Sequence, residues 1–183
     1  MEEEKIVGAI DRARKGISQY LEIMNEIFAV NVAENRNFQR KFNAFYRVRQ
    51  RPQAWYQAYF SYLERCKGRK PLFDEVIDEM YRLTGRYEPS FASKFVATLD
   101  PEQPVWDTWV LRNTGTKAPG YYSPTKLAGA KTAYKVIQRW YCEFLRSAEG
   151  RLVVELFDRM VAEHHQITDT KKIDFVLWQA RTG

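Results

Sequence analysis

The sequence predicts an all-α protein with about seven to eight helices in a single globular domain, and three observations support this prediction. Apolar residues recur at spacings of three and four along most of the 183 residues, which is the period of an amphipathic helix. No segment shows the strict alternation of a half-buried strand. A hydrophobic fraction of 45% supplies enough apolar side chains for a buried core. A division into two small lobes near residues 115–122 stays open.

The amino-terminal half of the chain is predicted to be largely helical. An apolar stripe that begins at Ile6 marks a long helix over residues 4–30, and Phe38, Phe42 and Phe45 continue the helical period. Pro52 then breaks the chain, because a proline lacks the amide that a helix interior needs. The helices that follow are predicted at residues 53–66, 72–84 and 91–99.

Local signals mark the ends of these helices. Gly85 can end the helix before it in a left-handed conformation, and Ser90 can cap the helix after it. That second helix is predicted to stop at Asp100, because a residue before proline disfavours helical dihedral angles. The two helices and the short loop GRYEPS between them therefore form a helical hairpin.

The carboxyl-terminal half begins with Asp107, which is predicted to cap a short helix that runs through Asn113. The longest loop follows, with the sequence GTKAPGYYSP, and Ser123 followed by Pro124 is a typical helix start. Two further helices are predicted after that one, the last of them beginning after Thr170.

Composition and motifs exclude several classes of protein. The acidic amino terminus has no apolar core of signal-peptide length and no segment reaches the roughly 20 apolar residues of a membrane span, so a cytoplasmic protein is predicted. Cys66 and Cys142 have neither the number nor the spacing of a disulfide framework or a zinc site. His164 and His165 diverge by about 100° on a helix and cannot share a metal ion as an i, i+4 pair can. No metal or cofactor is therefore predicted.

The positive charge of the chain is concentrated in one segment. Residues 36–70 contain ten Lys or Arg and a single acid, Glu64, so this segment carries +9 while the whole chain carries +6. Arg36, Arg40 and Arg47 are predicted to share one face of a helix, opposite the phenylalanines. The cations predicted to contact phosphates of DNA or another nucleic acid are Arg36, Arg40, Arg47, Arg51, Lys67, Arg69, Lys70 and Arg86. A surface for an acidic protein, or one that serves solubility alone, is the alternative.

Lys94 and Asp107 are the candidate catalytic residues. Lys94 is predicted on the first turn of the second hairpin helix, near the surface, where the helix N-terminus would lower the pKa of the amine and favour its action as a nucleophile. Asp107 follows 13 residues later, across a turn braced by prolines. A solvated lysine and an ordinary helix cap are the alternative interpretation of the same pair.

The layout of residues 84–112 resembles the helix-hairpin-helix DNA glycosylase superfamily. In that family a hairpin of the form Leu-Pro-Gly-Val-Gly-x-Lys precedes a helix, a turn and a capping aspartate. The segment from Pro89 to Lys94 matches this hairpin, with Ser90 and Ala92 at the two glycine positions, and Asp107 matches the aspartate. The resemblance implies DNA binding, Lys94 as a Schiff-base nucleophile and Asp107 as its electrostatic or acid–base partner. The chain has no four-cysteine pattern for an iron–sulfur cluster, so only members of the family without a cluster are comparable. The alternative is a non-enzymatic helical module that binds another protein.

Overall fold

The computed structural model describes residues 1–179 and confirms the all-α prediction. These residues form nine α-helices and one turn of 3-10 helix at His164–Gln166, and no strand occurs among them. The helices are α1 Glu3–Glu26, α2 Arg36–Phe45, α3 Gln53–Arg65, α4 Phe73–Thr84, α5 Pro89–Leu99, α6 Thr108–Asn113, α7 Lys126–Arg146, α8 Ala148–Met160 and α9 Asp169–Gln179.

Side chains satisfy the free amides at the starts of three of these helices. Asn35 accepts a hydrogen bond from the Phe38 amide at 2.9 Å and so begins α2. Asp107 begins α6 and Ser147 begins α8 in the same way. Because the Asn35 cap separates α2 from α1, the structure has one helix more than the upper number predicted.

Two helices begin at other residues than the sequence predicts. The first turn of α5 starts at Pro89, whose fixed φ suits the first helical position, so Glu88 and not Ser90 occupies the N-cap position, without a capping hydrogen bond from its side chain. The α7 helix starts at Lys126, three residues after the predicted cap Ser123, because residues 123–125 form a separate turn.

The α9 helix lies at the centre of the fold. It packs against α1, α6, α7 and α8, and its residues from Thr170 to Leu177 are all buried. Gly16 of α1 faces the rings of Phe45 and Phe175, which a methyl group there would touch at ordinary van der Waals distances of 3.9 and 3.7 Å. One continuous hydrophobic core joins the helices, and within it α6, which Asp107 begins, packs against α9.

No helix within residues 1–179 combines the length and the apolar character that crossing a lipid bilayer requires.

Candidate functional site

The predicted helical hairpin is formed by α4 and α5, which pack together across residues 85–88. Gly85 ends α4 with φ 67°, as the sequence predicts. Beyond the turn, Glu88 accepts a hydrogen bond from Trp55 Nε1 at 2.6 Å and forms ion pairs with Arg51 at 2.7 Å and Arg86 at 3.4 Å. Glu88 therefore ties the turn to α3 and neutralises two of the cations predicted to contact phosphates.

Lys94 lies in the second turn of α5 and is partly buried, so the prediction of a first-turn lysine near the surface is wrong. The physical reason is that α5 begins at Pro89, two residues earlier than predicted, and that a loop covers the side chain. The Lys94 amine donates to the backbone carbonyl of Tyr46 at 3.1 Å and lies 4.9 Å from the centre of the Phe91 ring. The lysine thereby joins α5 to the loop that follows α2.

Asp107 caps α6 as predicted, since its Oδ1 accepts a hydrogen bond from the Val110 amide at 2.8 Å. One residue earlier, the Trp106 amide donates to the buried hydroxyl of Ser93 at 2.8 Å. Because Ser93 precedes Lys94 and Trp106 precedes Asp107, this hydrogen bond brings Lys94 and Asp107 near each other. Each of them shifts the pKa of the other through its charge.

Burial is the main cause of both pKa shifts in this pair. It lowers the pKa of Lys94 to about 8; the Asp107 carboxylate opposes this shift, and the Arg47 guanidinium adds to it. Burial also raises the pKa of Asp107 to about 6, against the hydrogen bond from the Val110 amide. About one-tenth of the Lys94 amine is therefore neutral near pH 7 and able to act as a nucleophile. The sequence suggested the helix N-terminus as the cause of a lowered Lys94 pKa, and the structure gives desolvation as the main cause instead.

A buried ion pair that the sequence did not reveal lies on α9, the helix that packs against α6. Lys171 and Asp174 of α9 are fully buried, and their charged atoms lie 2.8 Å apart. The Tyr141 hydroxyl donates to the other oxygen of Asp174. The charge of Asp174 also contributes to the raised pKa of Asp107, so the buried pair lies close to the candidate site. In the sequence Lys171 and Asp174 are only two of the four charges of α9, and nothing marks them as buried.

The eight cations predicted to bind nucleic acid fall into two groups. Five form ion pairs, most of them with acids outside the basic segment: Arg51 and Arg86 with Glu88, Lys67 with Glu64, Arg69 with Glu75, and Lys70 with Asp100. The other three, Arg36, Arg40 and Arg47, have no carboxylate within 4.0 Å in the described part of the chain. The excess charge seen in sequence is thus partly neutralised by the fold.

Arg47 does not share a helix face with Arg36 and Arg40, which corrects the prediction from helical spacing. The α2 helix ends at Phe45, and Arg47 follows in a loop with φ 55°. Gln50 in the same loop also has φ 55°. Residues other than glycine in this left-handed region carry about 1–3 kcal/mol of backbone strain each, and they persist only where the surrounding structure holds them. The hydrogen bond from Lys94 to the Tyr46 carbonyl helps to hold this loop, here called the arginine loop and defined as residues 46–52. This loop carries Arg47, Arg49 and Arg51, and the charges of Arg47 and Arg51 lie close enough to help lower the pKa of Lys94.

Two depressions on the surface of residues 1–179 are unsuited to a nucleic acid. The larger, of about 750 Å³, is lined by four acids and one arginine: Glu102, Glu155, Asp158, Asp169 and Arg151. The smaller, of about 460 Å³, is lined by three acids and Arg82. Both would repel phosphates, and neither includes Lys94 or Asp107. No group of three or more His, Cys, Asp or Glu within residues 1–179 is arranged to hold a metal ion.

We expect replacement of Lys94 by methionine to raise the free energy of unfolding at pH 7 by about 1–2 kcal/mol. A shift of the amine pKa from its ordinary 10.5 to about 8 means that the folded protein holds this charge at a cost of about 3 kcal/mol. Loss of the hydrogen bond from Lys94 to the Tyr46 carbonyl offsets part of the gain in the variant. Below pH 8 both folded and unfolded wild type are protonated and the full cost is present. Between pH 8 and 10.5 only the folded state loses the proton, so wild-type stability rises there. The cost is gone above pH 10.5.

Urea unfolding of wild type and Lys94→Met at several pH values from 7 to 10.5 measures this effect. The variant should be the more stable protein at pH 7, and the difference should shrink as the pH rises. Lys135→Met, at an exposed lysine of α7, is the matched control and should show no such trend. Parallel pH profiles for wild type and Lys94→Met would contradict a lowered pKa at Lys94.

Comparison of the chain with models of protein families, with curated proteins and with solved structures finds no match.

Proposed function

We propose that this protein binds DNA and that Lys94 acts as an amine nucleophile at the sugar carbon of a damaged or abasic nucleotide. The observation that carries the proposal is the Lys94 amine itself, whose pKa is lowered to about 8 and which lies beside a carboxylate and the arginine loop. An amine that is partly neutral at pH 7 can attack an electrophilic carbon, and nearby cations attract a phosphodiester. The resemblance of residues 84–112 to helix-hairpin-helix glycosylases supports the same assignment.

The reaction at an abasic site would form an imine. The Lys94 nitrogen attacks the C1′ aldehyde carbon of the open sugar, and a carbinolamine forms. Loss of water then gives the Schiff base, with the C–N double bond replacing the C–O double bond. At an intact nucleotide the same nitrogen would displace the base from C1′, and the base would leave with a proton. Asp107, mostly ionised at pH 7, would accept the proton that the attacking amine loses.

Four cations are proposed as the phosphate contacts. Arg36 and Arg40 lie on the exposed face of α2, and Arg47 and Arg49 lie in the arginine loop beside the nucleophile. None of them has a carboxylate within 4.0 Å among residues 1–179, so contact with a phosphate would break no ion pair. The ion-paired cations Arg69 and Lys70 would first have to leave Glu75 and Asp100. The proposed interface is therefore narrower than the whole basic segment.

We expect the double variant Arg47→Gln/Arg49→Gln to bind duplex DNA more weakly and with less dependence on salt. Each lost phosphate contact reduces the slope of log K against log salt by about 0.9, so the slope should fall by about 2. Fluorescence anisotropy with a labelled duplex between 50 and 200 mM salt measures this slope. Arg14→Gln/Arg159→Gln is the matched control, because it removes the same charge from exposed arginines that are paired with Asp11 and Glu155.

Two outcomes of this experiment would count against the proposal. Absence of binding by the wild type at 50 mM salt, to duplex and to single-stranded DNA alike, would end it. Equal losses in the two double variants would show that binding follows net charge and not the arginine loop.

A second function is favoured by a specific observation at the hairpin turn. Ser90 and Ala92 stand where the glycosylases have glycine, and glycine is what lets a backbone come close to a phosphate. Glu88 places a carboxylate at the same turn and binds Arg51 and Arg86. The alternative is therefore a non-enzymatic helical module whose unpaired arginines bind an acidic protein segment. Binding to poly-glutamate as tight as to DNA of equal charge would favour this alternative.

A further inference from the structure

The loop between α6 and α7 combines exposed aromatic rings with unopposed positive charge. Residues 108–142 contain six Lys or Arg and no Asp or Glu, a second basic segment that net charge alone conceals. Two of these cations, Lys131 and Lys135, pair with acids of α4. Arg112, Lys117 and Lys126 have no carboxylate within 4.0 Å in the part of the chain that the structure describes.

Two tyrosines occupy the corner of a turn in this loop. The Ser123 amide donates to the Gly120 carbonyl at 3.0 Å, so Tyr121 and Tyr122 are the two central residues of a hydrogen-bonded turn. Tyr122 is 94% exposed and Tyr121 is 53% exposed. Their ring centres lie 5.3 Å apart with an interplanar angle of 80°. An aromatic ring this exposed contributes little to the core and leaves its face free for a ligand.

The tyrosine turn, defined as residues 120–123, is anchored on both sides. Pro119 lies so close to α7 that a side chain at Gly129 would come within 2.9 Å of the proline ring. On the other side Tyr121 contacts Tyr87 of the α4–α5 hairpin, with ring centres 6.1 Å apart. The turn is therefore presented by packed neighbours and lies at the same hairpin that carries Arg86.

Lys126 adds a charge to this aromatic surface. Its Nζ lies 4.9 Å from the ring centre of Tyr121, 5.5 Å from Tyr81 and 5.7 Å from Tyr87. These rings hold the ammonium group by cation–π attraction while it keeps its positive charge. A cation within a cluster of tyrosines and beside an exposed ring offers both a phosphate contact and a stacking face in one place. Single-stranded nucleic acid presents the complementary groups, which are phosphates alternating with unpaired bases.

We propose that the tyrosine turn is a stacking platform for unpaired nucleobases, with Lys126 and Lys117 contacting the adjacent phosphates. This inference rests on the proposed DNA-binding function and extends it to the form of DNA that is bound. Tyr122 stacks on a base that has no pairing partner, as in a single strand or at a disrupted position of a duplex. An intact duplex offers no such base face, so the tyrosine turn makes the protein prefer DNA with unpaired bases.

The test compares Tyr122→Ala with wild type for binding to a 12-nucleotide single strand and to the intact duplex of the same sequence. Loss of one stacked base should raise the Kd for the single strand about ten-fold and leave the Kd for the duplex almost unchanged. The salt slope should also be unchanged, because no charge is removed. Tyr122→Phe keeps the ring and should bind like wild type. Phe28→Ala, at another exposed aromatic residue, is the control and should have no effect.

The outcomes separate failure of this inference from failure of the proposed function. Tyr122→Ala could bind the single strand with the Kd of the wild type while Arg47→Gln/Arg49→Gln binds DNA more weakly. This result would overturn the stacking platform and leave the proposal of DNA binding in place. A wild type that binds neither form of DNA would overturn both. Equal losses of affinity for the single strand and the duplex in Tyr122→Ala would also overturn the platform, because stacking on an unpaired base can strengthen binding to the single strand alone.

Discussion

Lys94→Gln should abolish the covalent adduct that borohydride traps between this protein and DNA carrying an abasic site. The amine is the only part of Lys94 that can form the imine, and the glutamine amide cannot. Glutamine can still donate a hydrogen bond toward the Tyr46 carbonyl, so the arginine loop should stay in place. The measurement is the fraction of labelled DNA that shifts to the mass of a protein–DNA adduct on a denaturing gel.

Two further variants make this result specific. Lys135→Gln removes an exposed lysine and should give as much adduct as wild type. Asp107→Asn retains a residue that caps a helix well, so α6 should persist while the proton acceptor is lost. We expect adduct formation to slow by about 100-fold or more in Asp107→Asn, which is the usual range for loss of a general base. A wild-type rate in that variant would assign Asp107 a capping role alone.

The second large effect concerns stability, since Asp174→Ala should lower the free energy of unfolding by about 3–5 kcal/mol. This change leaves the Lys171 ammonium buried without its partner, and it removes the acceptor for Tyr141. Burial opposes the charged form of Lys171, and the Asp174 carboxylate overcomes this opposition and leaves the pKa of the lysine raised. Urea denaturation followed by circular dichroism at pH 7 measures the difference.

A double variant keeps this prediction testable if the single variant fails to fold. Lys171→Met/Asp174→Leu replaces both charges by apolar groups, and such replacements of buried ion pairs are often neutral or stabilising. We expect it to fold and to be more stable than Asp174→Ala by at least about 2 kcal/mol, since no unpaired charge remains. Equal stability of the single and double variants would contradict an energetic coupling between the two residues.

Helix positions and caps were largely predictable because they depend on residues close in sequence. The 3.6-residue period of apolar side chains is visible in any window of a dozen residues, and Gly85 and Asp107 carry their own local reasons to end and begin helices. The errors occurred where two local signals compete. Proline at position 89 set the start of α5 more strongly than serine at position 90 could.

Charge pairing was not predictable, because the partners are distant in sequence. Lys70 pairs with Asp100 across 30 residues, and Arg51 pairs with Glu88 across 37. Net charge over a window counts such cations as free, although the fold neutralises them. The buried Lys171 was missed for the same reason, since only the arrangement of α9 against its neighbours removes this charge from water.

The sequence proposes the residues of the candidate site and does not give their geometry. Lys94 and Asp107 could be named from a motif, yet the contact that joins them is the hydrogen bond between Ser93 and Trp106. Nothing in the sequence indicates that bond, and the burial that shifts both pKa values depends on the arginine loop as well. Local pattern thus identifies chemical groups, and tertiary packing decides their reactivity.

Peptide mapping of the trapped adduct tests most directly the central claim that Lys94 is the reactive amine. Trypsin does not cleave after a modified lysine, so an adduct at Lys94 yields residues 87–112 as one peptide that carries the sugar remnant. Unmodified protein yields residues 87–94 and 95–112 instead. We expect the adduct in the long peptide after borohydride reduction and nuclease digestion. An adduct at the amino terminus or at another lysine, with residues 87–94 recovered unmodified, would contradict it.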